Sequence, residues 1–173
     1  MNQRQTPSFL YLLCHPIELL AFGFGSGLSP KAPGTVGTLI AIPFYIGLAH
    51  LSLPVYALVL VVTFIVGIYL CDVAAKAQQC HDHPGIVWDE FVGYWITMFA
   101  APLGWWWIIM GFVLFRIFDI WKPWPISWCD KKVHGGFGIM IDDVIAGIFA
   151  AIVLQLITFL AQNNYLSLVG IHL

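Results

Sequence analysis

Two pairs of adjacent carboxylates, Asp89-Glu90 and Asp142-Asp143, each open a long apolar run. A single Asp at such a place is an ordinary helix N-cap. Two neighbouring acids exceed what a cap uses, and two such pairs in one short chain point to a hard-cation site. Clustered carboxylate oxygens suit Mg²⁺, which keeps several waters and bridges to substrate phosphates. A third constellation, Arg116, Asp119 and Lys122, recurs every three residues and so shares one helix face. There Asp119 can orient Arg116 while the two cations grip an anion; basic residues snorkelling beside an acid are the plainer account. The fourth is the Gly/Pro-rich stretch 23–38, which brings Lys31 to a helix start near Thr35. Free backbone N–H groups at a helix start make a phosphate site. The Gly-Lys-Ser/Thr ending of a P-loop and the G-x-G-x-x-G pattern are both missing from it. The plainer account of this stretch is a loop capped by Thr35.

Other residues carry weaker signals. Asp72 closes an apolar run and reads as a solvated span end. Cys80-His81-Asp82-His83 reads as a solvated loop before a zinc site, and His134 as an ordinary loop histidine before a general acid. The four cysteines lack metal-like or disulfide-framework spacing.

The elements that must hold these groups follow from composition. Of 173 residues 60% are apolar and 9% charged, and the mean hydropathy is +0.87. A soluble domain carries roughly 25% charged residues, so the chain reads as a single membrane domain over 1–173, all-α and polytopic. The net charge of −2 and pI near 6.3 argue against a nucleic-acid partner. A bilayer core of about 30 Å takes some 20 apolar residues. On that scale spans are expected at residues 35–53, 55–71, 87–101, 105–120 and 144–161. An interfacial helix over residues 9–24, kinked at Pro16, is expected to precede them. No small-residue cleavage site follows that stretch, so a secretory signal peptide is not expected.

On this map all seven Lys and Arg residues (Arg4, Lys31, Lys76, Arg116, Lys122, Lys131, Lys132) and all nine acids fall at one membrane face. The basic bias places that face in the cytoplasm. Spans one, three and five begin there, so their positive dipole ends converge on the charged face and favour an anion. Carboxylates and cations at one dehydrated face fit phosphoryl chemistry. A transporter or channel places ionisable groups near the midplane, where this chain offers uncharged residues such as Thr63 and Thr97. A scaffold protein without hydrolase activity is the remaining alternative; it would tolerate neutralised acids.

The stretches GFGSGLSPKAPGTVGT (23–38), WDEFVGYW (88–95), FRIFDIWKPWP (115–125) and GGFGIMIDDVIAG (135–147) resemble the phosphatidylglycerophosphatase A family of bacterial lipid phosphatases. The resemblance implies Mg²⁺-dependent hydrolysis of phosphatidylglycerophosphate to phosphatidylglycerol and inorganic phosphate, at the cytoplasmic face of the bacterial inner membrane. It leaves open which carboxylate does what and the oligomeric state. On physical grounds Asp89, Glu90, Asp142 and Asp143 are expected to hold Mg²⁺, and Glu90, Asp143 and Asp119 to serve catalysis. Lys31, Arg116 and Lys122 are expected to take the phosphate, with the hydroxyls of Ser29, Thr35 and Thr38 assisting. The bilayer would hold the diacylglycerol part.

Overall fold

The computed structural model describes residues 7–80 and 83–168. Arg4, His81 and Asp82, which entered the charge map and the weak zinc reading, lie outside them. Helix succeeds helix: α1 (Phe9–Cys14), α2 (Pro16–Ala21), a 3₁₀ turn (Gly23–Leu28), α3 (Pro33–Leu48), α4 (Leu53–Ala77), α5 (Trp88–Thr97), α6 (Trp105–Trp121), α7 (Ile126–Lys132) and α8 (Gly135–Leu168). Among the described residues there is no strand, so the all-α expectation holds.

Proline and left-handed residues punctuate the chain. α3 starts at Pro33 after a left-handed Ala32 (φ +46°), α4 carries Pro54 in its first turn, and α6 ends at a left-handed Lys122 (φ +45°) followed by Pro123. Pro suits a first turn, where its missing N–H would be unpaired anyway. Residues 9–24 are not one kinked helix: the chain breaks at His15, between α1 and α2, and tightens into the 3₁₀ turn. Helix α7 is not anticipated by the sequence reading, because seven residues are too few to display a periodicity.

Two helices are long and apolar enough to cross a membrane, α4 and the 29 residues Gly135–Asn163 of α8. At 1.5 Å per residue α3 and α6, with 16 and 17 residues, reach about 25 Å. α5 has ten residues and reaches only about 15 Å, so it does not traverse a bilayer core on its own. The five-span count of the sequence reading is therefore not reached by helix length.

What α5 does is fill the centre. Phe91, Val92 and Tyr94 are fully buried and Trp95 nearly so, a helix that beyond its acidic first turn is apolar and wrapped by its neighbours. Phe91, Tyr94 and Trp95 join α3, α6 and α8 in one apolar cluster; Trp88 and Val92 join α2, α4 and α8 in a second. Indole and phenol groups tie α5 to its neighbours: Trp95 Nε1 donates to Ala41 O at 3.0 Å, Trp88 Nε1 to Thr63 O at 3.2 Å, and Tyr56 Oη to Trp95 O at 2.9 Å. α5 and α8 meet backbone to backbone, because a Cβ on Gly147 would collide with Gly93 O. Small residues at a crossing permit this approach in membrane helices, and here it brings the start of α8 against the start of α5.

Candidate active site

The starts of α3, α5 and α8 and the ends of α4 and α6 lie at one end of the bundle, where all the charges of the described residues are found. Between them lies a cavity of about 300 Å³ whose wall carries Asp89, Glu90, Arg116, Asp119, Lys122, Asp130, Asp142 and Asp143, with Ala32, Pro33 and Gly34 at the head of α3. Three of the four predicted clusters thus meet in one place, and the fourth contributes the head of its helix.

Asp89, Glu90 and Asp143 each present a carboxylate oxygen to one point, these atoms lying within 4.8 Å of one another. Asp89 Oδ1, Glu90 Oε2 and Asp143 Oδ2 are buried and have no hydrogen-bond partner. Burying unpartnered carboxylate oxygens costs several kcal/mol each unless a cation answers them. Three converging carboxylates, each with a buried oxygen left without a partner, fit Mg²⁺. The electrostatics agree. Burial pushes Glu90 up to about 8, with Asp143 and Asp119 adding to it, while a bond from Asp89 and the charge of Arg116 act against the rise. Asp89 is held well above the usual carboxylate range by burial and then by Glu90.

The expected fourth ligand, Asp142, is turned elsewhere. Adjacent residues on a helix point about 100° apart, and Asp142 Oδ2 lies 2.6 Å from Lys122 Nζ. That ammonium is also 2.6 Å from Oδ1 of Asp130 on α7. Burial works against the charge of Lys122, but Asp142 and Asp130 outweigh it and hold the Lys122 pKa above its ordinary value.

Arg116 reaches into the cavity with its side chain 14% exposed. Its Nη1 stands 2.7 Å from Asp119 Oδ2, 3.4 Å from Thr38 Oγ1 and 4.0 Å from Glu90 Oε1. Asp119 therefore orients Arg116, as expected. Thr38 donates to Gly34 O at 2.9 Å and accepts from Arg116, so it supports the arginine from behind instead of facing a ligand. Gly34 is where the glycine-rich stretch meets the chemistry. A Cβ there would run into Glu90 Oε1 and come within 3.3 Å of Arg116 Nη1. Gly34→Ala should accordingly cut turnover by about 10- to 100-fold while every charged group is kept; wild-type turnover in that variant would show that the head of α3 does not shape the site.

Not every expected residue lines the cavity. Lys31 is exposed, and Ser29 Oγ donates to Lys31 O at 2.8 Å, a local turn bond. Neither these two nor Thr35 is in the cavity wall. Asp72 pairs with Lys76 at 2.6 Å, one helical turn away, and His134 also stays outside the wall. The residue that sequence reasoning missed is Asp130. On one continuous helix an eight-residue separation from Lys122 would leave it about 12 Å away along the axis, and only the turn through Pro123 and Pro125 brings it back.

The family model described as Phosphatidylglycerophosphatase A matches residues 19–158 of the chain, a range that contains all the cavity-lining residues named above. The chain is similar to a protein named Phosphatidylglycerophosphatase A from Escherichia coli strain K12, 53% identical over 146 residues that cover 84% of this chain and 85% of that one. It is also similar to a protein of the same name from Haemophilus influenzae, 49% identical over 149 residues covering 85% of this chain and 91% of that one. No solved structure matches it.

Proposed function

The chain belongs to the phosphatidylglycerophosphatase A family, and from that premise we propose that it hydrolyses phosphatidylglycerophosphate to phosphatidylglycerol and inorganic phosphate in an Mg²⁺-dependent reaction of phospholipid synthesis. The observation that carries the reading is the convergence of the carboxylates of Asp89, Glu90 and Asp143, each of which also has a buried oxygen without a partner, beside Arg116. In this reading those three carboxylates hold Mg²⁺, which supplies charge neutralisation and Lewis acidity when bound. Arg116, kept in place by Asp119 and Thr38, binds the equatorial oxygens of the transferring phosphoryl group. Lys122 binds a further phosphate oxygen from the α6 end. The oxygen of water forms a bond to phosphorus, the ester P–O bond to glycerol breaks, and the alcohol leaves with a proton.

The placement on the membrane follows the same logic. We place the site at the cytoplasmic face of the inner membrane, because the described basic residues gather at the cavity end while the turns at residues 49–52 and 98–104 carry none. α4 and α8 cross in opposite senses, and α5 and α6 form a hairpin that starts and ends at the cavity end. Exposed Trp105 and Trp106 at one end of α6, and Trp121 and Trp124 at the other, mark the two headgroup layers. Such a chain crosses several times and takes its substrate from the leaflet it sits in.

The test is phosphate release from the detergent-solubilised chain, with phosphatidylglycerophosphate, phosphatidic acid and lysophosphatidic acid as substrates and Mg²⁺ titrated. Release from phosphatidylglycerophosphate that stops on chelation and returns with Mg²⁺ is expected. No release from any lipid phosphate sinks the enzyme reading, and full activity after exhaustive chelation sinks the metal.

A further inference from the structure

Lys122 has one positive charge and two carboxylates bound to it, each at 2.6 Å. One of them is sufficient to neutralise it, and the surplus anion stands in a cavity that already holds Asp89, Glu90, Asp119 and Asp143. A phosphate group coming to Lys122 would meet both. The two partners differ in what leaving would cost them. Asp142 lies on α8 with its side chain 9% exposed and its Oδ1 buried without a partner. Taking Lys122 from it leaves a buried, uncompensated charge, which is strongly unfavourable. Asp130 has a side chain 34% exposed and sits on the seven-residue α7, just before the exposed Lys131 and Lys132. It returns to water when it lets go, and an exposed ion pair is weak. The backbone of Lys122 does not compete in this exchange, being held by its N–H bond to Phe118 O at 2.9 Å.

We infer that Asp130 occupies the place on Lys122 that the substrate's phosphate takes, a displaceable anion on α7 that sets how tightly the site holds phosphate, while Asp142 is the fixed partner that positions the ammonium. The inference rests on the reading of Lys122 as a phosphate ligand. Its consequence is a specificity filter: a group reaches Lys122 only if its charge outbids a carboxylate, which a phosphate monoester dianion does and a phosphodiester monoanion does poorly. The same contact returns once the ester is cleaved and helps inorganic phosphate leave.

Binding of inorganic phosphate to the full-length chain, solubilised with saturating Mg²⁺ and measured by calorimetry, tests this alongside KM for phosphatidylglycerophosphate. Asp130→Asn should bind phosphate about two- to fivefold more tightly and lower KM to match, the range expected for losing one exposed ion pair. In a Lys122→Ala background the same substitution should change neither, which separates displacement at Lys122 from a diffuse loss of negative charge. Weaker or unchanged phosphate binding in Asp130→Asn overturns the inference, as does an equal gain in the Lys122→Ala background. If the wild-type chain neither binds nor releases phosphate, the phosphatase reading itself fails, whereas an active wild type with an indifferent Asp130→Asn removes only the role of Asp130.

Discussion

Replacing Glu90 with glutamine should lower phosphate release by on the order of 10³-fold, with Asp143→Asn doing the same. Both side chains offer an oxygen to the point shared with Asp89, and both carry a buried oxygen without a partner. The substitution keeps the shape and removes the charge that a divalent cation requires. A folding defect is readily told apart from this. With no cation bound the carboxylates repel one another, so Glu90→Gln should melt no lower than wild type under chelation. Saturating Mg²⁺ should raise the wild-type melting temperature by about 5–10 °C, the shift expected when ligand reaches about a hundred times its dissociation constant in a domain of this size. The variant should lose most of that rise. Wild-type turnover in either variant would remove the cation from Asp89, Glu90 and Asp143. Asp72→Asn is the internal control and should keep its activity, since Asp72 pairs with Lys76 outside the cavity.

The same cluster has a pH signature. Glu90 binds its proton more tightly folded, at about 8, than at its ordinary 4.5. Between those values the folded state holds more protons than the unfolded one, so stability of the cation-free protein falls as pH rises across that window. A bound cation must displace that proton, so Mg²⁺ affinity should climb with pH over the same range. Melting curves at several pH values, with chelator and with Mg²⁺, should diverge as pH rises; parallel curves would refute the linkage.

Arg116→Ala should cost about 10²–10³-fold in turnover while leaving the Mg²⁺-induced thermal shift in place. The guanidinium is 4.0 Å from Glu90 and held by Asp119 at 2.7 Å and by Thr38 at 3.4 Å, so its direction is set before substrate arrives. Arg116→Lys should recover little, because a single ammonium cannot reach Asp119, Thr38 and a phosphate oxygen with the planar fork that the arginine uses. Asp119→Asn should lose less, about 10- to 100-fold, mainly in kcat, since Asp119 acts by positioning the arginine. An Arg116→Lys protein as active as wild type would reduce Arg116 to a generic positive charge.

Much of this site was legible in the chain itself because its signals are local. Adjacent acids at the head of an apolar run need only a helix to face one end of a bundle, and a three-residue spacing from Arg116 to Asp119 needs only one turn. Both hold in the fold. What was not legible depends on where side chains turn once helices cross. Asp142 and Asp143 look equivalent as text, yet the α8 turn gives Asp143 to the carboxylate cluster and Asp142 to Lys122. The hydroxyls of Ser29, Thr35 and Thr38 seemed alike; one closes a local turn, one stays outside the wall, and one supports Arg116 from behind.

The scarcity of charge and its grouping determined the class of the protein. With 9% charged residues and 60% apolar ones, a membrane helical chain with its polar chemistry at one end follows from the cost of burying charge. Hydropathy along a chain records how apolar a segment is but not where its helix stops, so residues 87–101 read as one span although α5 has ten residues and reaches only about 15 Å. Tertiary structure alone decided which carboxylates share a point, that Gly34 abuts Glu90, and that Asp130 returns across eight residues to Lys122. Those outcomes depend on contacts between segments distant in sequence, set by where Gly93 and Gly147 let two helices touch, and no periodicity within a single segment encodes them.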